Sequence, residues 1–310
     1  MNQKNHKTSI GGQALYEGIM MRGPKKHAIA LRLPDGTIET TVKENHSIRQ
    51  RYRLFRLPIL RGMASLVESL SLGYKTLTYS FEKAGLEEEP TKFELWLSKV
   101  FGKSVMDLVV AVAGVLGVVL ALSIFMLLPA AAVKLLGGWI PAWSRALAEG
   151  VIKIAVFLIY VAAISHMEEI RRTFEYHGAE HKTIFAYEAG LELTVENVRK
   201  MSRFHPRCGT SFLIIAMIVS VLFFSLPIVT WDSVLLRMAT KLIMLPLVVG
   251  VAYEFIYLAG KYDNWLTRTL SAPGLWIQRL TTKEPDDSQI EVAIASMLPV
   301  LTGNPEDDKW

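Results

Sequence analysis

Residues 105–128 read VMDLVVAVAGVLGVVLALSIFMLL, with Asp107 as the one charged residue among them. About 20 consecutive apolar residues are enough for a helix to span the hydrocarbon core of a bilayer. The composition of the whole chain agrees, since 51% of its 310 residues are hydrophobic. Apolar usage in soluble domains is about 45–50% even with glycine included. The stretch therefore predicts a transmembrane helix and argues against an ordinary soluble globular protein.

Three further apolar stretches, at about residues 147–165, 212–231 and 241–260, predict three more spans. Lys153 and Glu254 lie inside two of them. A charge at such a position pairs, snorkels or faces the interior of the helix bundle. The predicted fold is mainly α, a polytopic helical membrane protein with about four transmembrane helices.

The basic residues predict on which side of the membrane each loop lies. Residues 1–104 contain 17 Lys and Arg, and the loop 166–211 contains seven more. The opposite loops hold few, namely Lys134, Arg145, Arg237 and Lys241. Because Lys and Arg accumulate in cytoplasmic loops, we expect the N-terminus, the loop 166–211 and the C-terminus to be cytoplasmic.

Three regions follow from this topology. They are a cytoplasmic region at 1–104, a four-helix transmembrane region at 105–260 and a cytoplasmic tail of interfacial and helical character at 261–310. No short apolar run follows a basic start, so no secretory signal peptide is expected. The single cysteine, Cys208, excludes an internal disulfide, and a cytoplasmic location keeps its thiol reduced.

The region 1–104 predicts a small α+β cytoplasmic domain with an N-terminal β-hairpin. Residues 28–33 read as a strand, 34–37 carry the Asp-Gly turn signal and 38–43 return as a second strand. After Pro58 a helix is expected to continue to about Ala84.

Residues 49–61, here called the basic segment, mix five arginines with apolar side chains. That mixture predicts contact with anionic membrane lipid, and RNA contact is the alternative. The net charge of +5 suits either partner. We expect nucleic acid to be reached only indirectly, through a ribosome.

The loop 166–211 carries the residues that indicate chemistry, His177-Gly178-Ala179-Glu180-His181 and His205-Pro206-Arg207-Cys208. Two histidines four apart share one helix face and can hold one metal, and the order His-x-x-Glu-His makes Glu180 the candidate catalytic base. His205 and Cys208 are the candidate third and fourth ligands, a set that suits Zn²⁺. Four ligands would close the site as a structural one, whereas three would leave a position open for hydrolysis.

The alternatives to a metal site stay open. The five-residue pattern also arises by chance, and Cys208 could be a covalent nucleophile or a packed core residue. Residues 164–187 contain no proline, so one long helix is expected there. Its periodicity would place His166 on the face of His177 and His181, flanked by Glu169 and Glu180.

Residues 11–23 read GGQALYEGIMMRG and form a second dense motif. Four glycines in thirteen residues predict a compact turn or a close backbone approach. The motif is neither a P-loop nor a dinucleotide fingerprint. Glu17 could complete the metal site or pair with Arg22. In the tail, Pro273-Gly274 predicts a helix break, and a terminal helix is expected at about 286–301.

Four motifs together, GGQALYEGIMMRG, YHGAEHKTI, HPRCGTSF and GLWIQRLTTKEPDD, resemble the YqhQ-type family of bacterial membrane proteins. The resemblance runs from about Ile10 to Leu298. It implies an inner-membrane protein and a metal-dependent enzyme activity that depends on His177, Glu180, His181, His205 and Cys208. It implies no substrate.

Two classes of function remain. The first is a metal-dependent hydrolase that acts near the bilayer on a lipid head group or a peptide. The second is a non-enzymatic membrane assembly factor, associated with the ribosome or the export channel, in which the His/Cys cluster is structural. A transporter is a third alternative, because Lys153 and Glu254 lie in predicted spans. The oligomeric state is not predicted.

Overall fold

The structure is a computed structural model that describes residues 6–45, 47–85, 112, 114–117, 119–121, 123–141, 144–226, 234–262, 264–304 and 306–309. The strands in these ranges are β1 (Gly11–Leu15), β2 (Gly18–Arg22), β3 (Lys26–Arg32) and β4 (Ile38–Glu44). The helices are α1 (Ile48–Arg51), α2 (Leu60–Lys83), α3 (Gly114–Leu135), α4 (Arg145–Ile164), α5 (Glu168–Glu188), α6 (Val195–Arg199), α7 (Gly209–Phe224), α8 (Val234–Lys261), α9 (Trp265–Thr281) and α10 (Asp287–Met297).

Among the described residues, three helices are long and apolar enough to cross a membrane, namely α3, α4 and the Ala239–Lys261 part of α8. The first ends at Leu135, beyond the predicted end at residue 128, and the beginning of the predicted span falls outside the described residues. The helix expected at 212–231 is the shorter apolar α7, of 16 residues, and 227–233 are also outside the described residues. The coarse prediction of long apolar helices is confirmed, and the fourth span stays a prediction.

The four strands form one antiparallel sheet in the order β1-β2-β3-β4. The predicted hairpin is confirmed as β3 and β4, where Gly36 takes a φ of +84° in the turn. The glycine-rich motif differs from the expected compact turn, because its two halves pair as β1 and β2. Pairing of β2 with β3 explains the difference, since the neighbouring strand satisfies backbone groups that the motif would otherwise leave unpaired.

Helices cover both faces of this sheet, which is why the first four residues of β2 are all buried. On one face Ile19 and Met21 join a core with Tyr176 of α5 and Ile290 of α10. On the other face Met20 and its neighbours pack against α2 through Leu72, Leu77 and Tyr79. The sheet thereby fixes α5, the helix that carries the His-x-x-Glu-His motif.

The apolar helices form a second core, in which α7 packs against α4, α8 and α9. The expected break at Pro273-Gly274 is wrong, because α9 continues through both residues. A Cβ at position 274 would lie 2.6 Å from the Ser211 Oγ. Because Gly274 has no side chain, α9 can pack closely on α7. This packing offsets the backbone hydrogen bond that Pro273 cannot make.

The long helix expected over 164–187 is also interrupted. α4 ends at Ile164 and α5 begins at Glu168. Ser165 Oγ and His166 Nδ1 both bond to the Ala162 carbonyl, each at 2.7 Å. Such side-chain bonds compete with the helical backbone bonds and end the helix. The rest of the motif-bearing segment thus forms a separate helix.

Candidate metal centre

His177 and His181 lie one turn apart on α5, with ring centroids 4.4 Å from each other. His177 Nδ1 lies 2.9 Å from the Thr281 carbonyl oxygen, and His181 Nδ1 lies 2.6 Å from that of Arg203. A carbonyl oxygen can only accept, so each Nδ1 carries the donated proton. Both Nε2 atoms are thereby left to face a common partner.

That partner is Cys208, the residue before α7. Its Sγ lies 3.1 Å from His177 Nε2 and accepts from the Thr210 backbone N–H at the helix N-terminus. Ligand atoms of His177, His181 and Cys208 all lie within 4.8 Å of one another, and the thiol is buried. Two imidazoles and a thiolate, with the other ring nitrogens bonded to backbone carbonyls, match the usual surroundings of a protein metal ion.

The charges within this group favour the ionised thiol. Burial raises the pKa of Cys208, but His177 and His181 lower it further, and the net result is well below its usual range. Burial lowers the pKa of His177, whereas the Cys208 thiolate raises it, to about 9. The three groups therefore already hold the thiolate form that a metal ion requires.

Glu180 lies between the two histidines in sequence and is only 4% exposed. Burial raises the pKa of its carboxyl group, and His181 and His177 oppose that shift. Its Oε1 accepts a hydrogen bond of 2.9 Å from the Gly12 backbone N–H. A Cβ at Gly12 would lie 2.9 Å from Glu180 Cδ and 2.7 Å from the Met20 carbonyl oxygen. The glycine-rich motif therefore serves to bring β1 against Glu180.

His205, expected as a further ligand, is not part of the group of converging ligand atoms. Its ring lies beside His181, with centroids 5.5 Å apart, but its Nε2 faces Arg207 at 3.2 Å and Glu188 at 3.7 Å. Gln278 holds its backbone through two hydrogen bonds of 2.7 Å. The structure therefore brings together three of the four expected ligands, and these contacts direct the His205 ring to the Glu188 side.

Glu17 and Arg22 also differ from expectation. Glu17 forms a bidentate pair with Arg172, at 2.6 Å for both contacts, and accepts from the Tyr176 hydroxyl at 3.1 Å. Arg22 pairs with Glu68 at 2.7 Å instead. Glu17 sits in the β1–β2 turn with a φ of +48°, so its side chain is directed to α5 and away from Arg22.

His166 and Glu169 do not join the cluster. Both are exposed, and the interruption between α4 and α5 removes His166 from the α5 face altogether. The reason is the capping contact of His166 with the Ala162 carbonyl, which a purely periodic reading of the sequence does not include.

Sequence reasoning missed residues that hold the ligands from outside α5. The most important are Gln278, which bonds to the His205 backbone, and Thr281, whose carbonyl oxygen accepts from His177. On α5 itself, Gly178 allows the chain at Lys283 to approach, since a Cβ there would collide with the Lys283 carbonyl oxygen. Lys182, 3% exposed, pairs with Glu284 and donates to the Arg199 carbonyl at 2.9 Å. The conspicuous stretch GLWIQRLTTKEPDD supplies several of these contacts and was the available signal.

Comparison with known proteins gives a family and no activity. A family model described as "Protein of unknown function (DUF1385)" matches residues 57–302. A relative from Bacillus subtilis (strain 168), "Uncharacterized protein YqhQ", is 37% identical over 297 residues, which cover 94% of this chain and 92% of the relative. No solved structure matches the chain. The resemblance to the YqhQ-type family is confirmed, and the enzyme activity that it implied stays a prediction.

Proposed function

Since the chain belongs to the DUF1385 family, whose description names no activity, we propose a function from the site itself. The chain is a multi-pass membrane protein of the bacterial inner membrane, and its His177, His181 and Cys208 bind one Zn²⁺ ion. The bound metal serves a hydrolytic reaction close to the cytoplasmic face of the bilayer, with Glu180 as the general base.

One observation carries this proposal. Each imidazole donates its Nδ1 proton to a backbone carbonyl, of Thr281 in one case and Arg203 in the other. Ligand atoms of both rings and of Cys208 lie within 4.8 Å of one another, with His177 Nε2 at 3.1 Å from Cys208 Sγ. Packing alone gives no reason to orient two histidines and the thiol of a helix N-cap toward one point. Outer hydrogen bonds that fix the ring orientation are what metal-binding histidines need.

Zinc with three protein ligands keeps a further position for water or substrate and acts as a Lewis acid. The residues of the chain supply the remaining requirements. Burial raises the pKa of Glu180 toward the range in which a carboxylate is an effective base. The Gly12 N–H fixes the position of its Oε1. These properties of Glu180 support a hydrolytic metal site over a purely structural one.

The membrane placement is part of the proposal. The apolar helices α3, α4 and α8 supply three candidate spans, and α7 is the proposed fourth. α4 leads directly into α5, and α7 begins at Cys208, so the cluster lies where two apolar helices meet the polar domain. The Lys and Arg content of the loop 166–211 favours the cytoplasmic side for it.

Metal analysis of the purified full chain tests the metal centre. We expect about one equivalent of zinc for the wild type and less than about a tenth for His181→Ala and Cys208→Ser, because removing one ligand of three leaves too few. His166→Ala is the matched control, since that exposed histidine lies outside the cluster. Wild-type protein below about a tenth of an equivalent, or variants that bind as much metal as the control, would refute the proposal.

The non-enzymatic assembly factor remains the second candidate. It is supported by the basic segment, in which Tyr52, Leu54 and Leu57 are 51%, 59% and 52% exposed among arginines. A pull-down from native membranes distinguishes the two. A stoichiometric partner that Arg51→Gln and Arg53→Gln abolish would favour the assembly factor, whereas its absence at low salt would remove the support for it.

A further inference from the structure

A cavity of about 870 Å³ lies between the sheet, α2 and α8. Two glycines of its wall connect it to the candidate metal centre. Gly12 donates its backbone N–H to Glu180, and Gly209 directly follows Cys208 at the start of α7. The cavity therefore adjoins the site and is large enough for a small polar group to enter.

The wall of this cavity is strongly basic. Four arginines line it, namely Arg22, Arg49, Arg56 and Arg61, and none of the described lining residues is acidic. Glu68 pairs with Arg22 and Glu254 pairs with Arg61 from outside the lining. Four guanidinium groups along a lining with no described carboxylate favour the binding of an anion. Arginine is the side chain best suited to bind phosphate with two parallel hydrogen bonds.

The arginines are held in place by the apolar helix α8. Arg49 reaches the Tyr253 hydroxyl at 3.4 Å, and Arg61 lies over the Tyr257 ring at 3.8 Å from its centroid. Ile59 takes a φ of +68°, and its N–H bonds to Glu254 Oε1 at 3.1 Å. A β-branched residue is strained in that conformation, so its presence indicates that the surrounding contacts enforce this position of the chain.

The surroundings of the cavity point to lipid as the source of the anion. Tyr253 and Tyr257 belong to the candidate span Ala239–Lys261, which brings the cavity to the end of a membrane helix. Beside it, Tyr52, Leu54 and Leu57 expose about half or more of their surface between basic residues. An exposed apolar and cationic segment is typical of contact with an anionic membrane surface.

We propose that this cavity binds the phosphate of an anionic lipid head group and presents the lipid to the His177, His181 and Cys208 centre. The binding of a head group follows from the cavity, whereas its role as substrate rests on the proposed function. A free phosphate shares the same chemistry, and the exposed apolar side chains select the lipid.

Retention of phosphatidylglycerol by the detergent-purified full chain, measured by native mass spectrometry, tests the proposal. Arg49→Gln and Arg56→Gln are expected to lower retention about tenfold or more, because each removes a charge-assisted bond to phosphate. Arg51→Gln and Arg53→Gln remove the same charge from the same segment but outside the cavity lining. We expect them to change retention by less than about twofold.

An equal loss in both pairs of variants would overturn the proposal, because it would show unselective attraction of charge. Displacement of the lipid by an equal concentration of inorganic phosphate would overturn the choice of lipid. Metal content of the same preparations separates the two proposals. Selective lipid retention by a metal-free wild type would support the head-group site and refute the metal centre. Bound zinc with unselective retention would refute the head-group site alone.

Discussion

Replacing Gly12 by alanine tests how the N-terminal strand supports the site. The added Cβ would lie 2.7 Å from the Met20 carbonyl oxygen and 2.9 Å from Glu180 Cδ, both far below ordinary contact distance. One neighbour is backbone of the adjacent strand and cannot yield cheaply. The carboxylate or strand β1 must therefore move, and the 2.9 Å bond from Gly12 N–H to Glu180 is weakened or lost.

Two contributions set the size of the effect. Forcing an extra methyl group into a packed site costs about 1–3 kcal/mol. Loss of a hydrogen bond to a buried charged group costs about 1.5–3 kcal/mol. The contributions overlap, because a single displacement of Glu180 relieves the clash and breaks the bond. We expect a total of roughly 2–4 kcal/mol in the free energy of unfolding.

Gly11→Ala is the matched control, since a Cβ there meets nothing within 4 Å. It adds the same methyl group to the same strand and should change stability by less than about 0.5 kcal/mol. Denaturant unfolding of both variants in detergent, followed by circular dichroism, gives the comparison. Zinc content of Gly12→Ala should equal that of the wild type, because the ligands lie on α5 and before α7. Equal stability of the two alanine variants would refute the contact between Gly12 and Glu180.

Three further predictions concern the site and its supports. Gly178→Ala should lose at least about 2 kcal/mol of stability in denaturant unfolding, because the new Cβ collides with the Lys283 carbonyl; a loss below about 0.5 kcal/mol would contradict that contact. A chelator should lower the apparent Tm of the wild type and leave that of Cys208→Ser unchanged, since a metal that binds the folded state stabilises it by mass action. An equal shift in Tm for both proteins would count against the metal centre. Burial raises the pKa of Glu68, but the Arg22, Ser47 and Ile48 hydrogen bonds lower it further, and the net pKa is lowered. The ionised Glu68 therefore stabilises the fold above its pKa in the unfolded chain, about 4.3, and this stabilisation is lost as the pH falls through its pKa in the folded protein. Glu68→Gln should show a smaller fall in Tm between pH 6 and pH 3 than the wild type. An identical fall would refute the stabilising role of the Glu68 carboxylate.

Elements that depend on local signals could be predicted from the sequence. The β3–β4 hairpin follows from Asp35-Gly36, and the terminal helix expected at about 286–301 is α10, where the Asp286 side chain accepts from the Gln289 N–H. The pairing of β1 with β2 could not be predicted in the same way. Glycine has low strand propensity, and that hairpin is stabilised by the adjacent strand β3 and by α2 and α5, which lie far away in sequence.

The same distinction between local signals and long-range contacts applies to the candidate site. His177 and His181 share a helix face because they are four apart, and Cys208 of the same loop is the predicted fourth ligand. The direction of the His205 ring depends on Gln278 and Glu188, which a local pattern does not reveal. The partner of Glu17 is 155 positions away in the chain, and no spacing rule connects the two.

The carbonyl oxygens that hold the two imidazoles belong to the main chain, at Thr281 and Arg203. Side-chain replacement at either residue leaves its carbonyl in place, so a mutational scan would pass over these supports. Defects should instead appear where the path of the chain changes, as with an insertion between α9 and α10. In a genetic screen, we expect insertions in that short connection to be rejected even where replacement of the Thr281 or Arg203 side chain is tolerated.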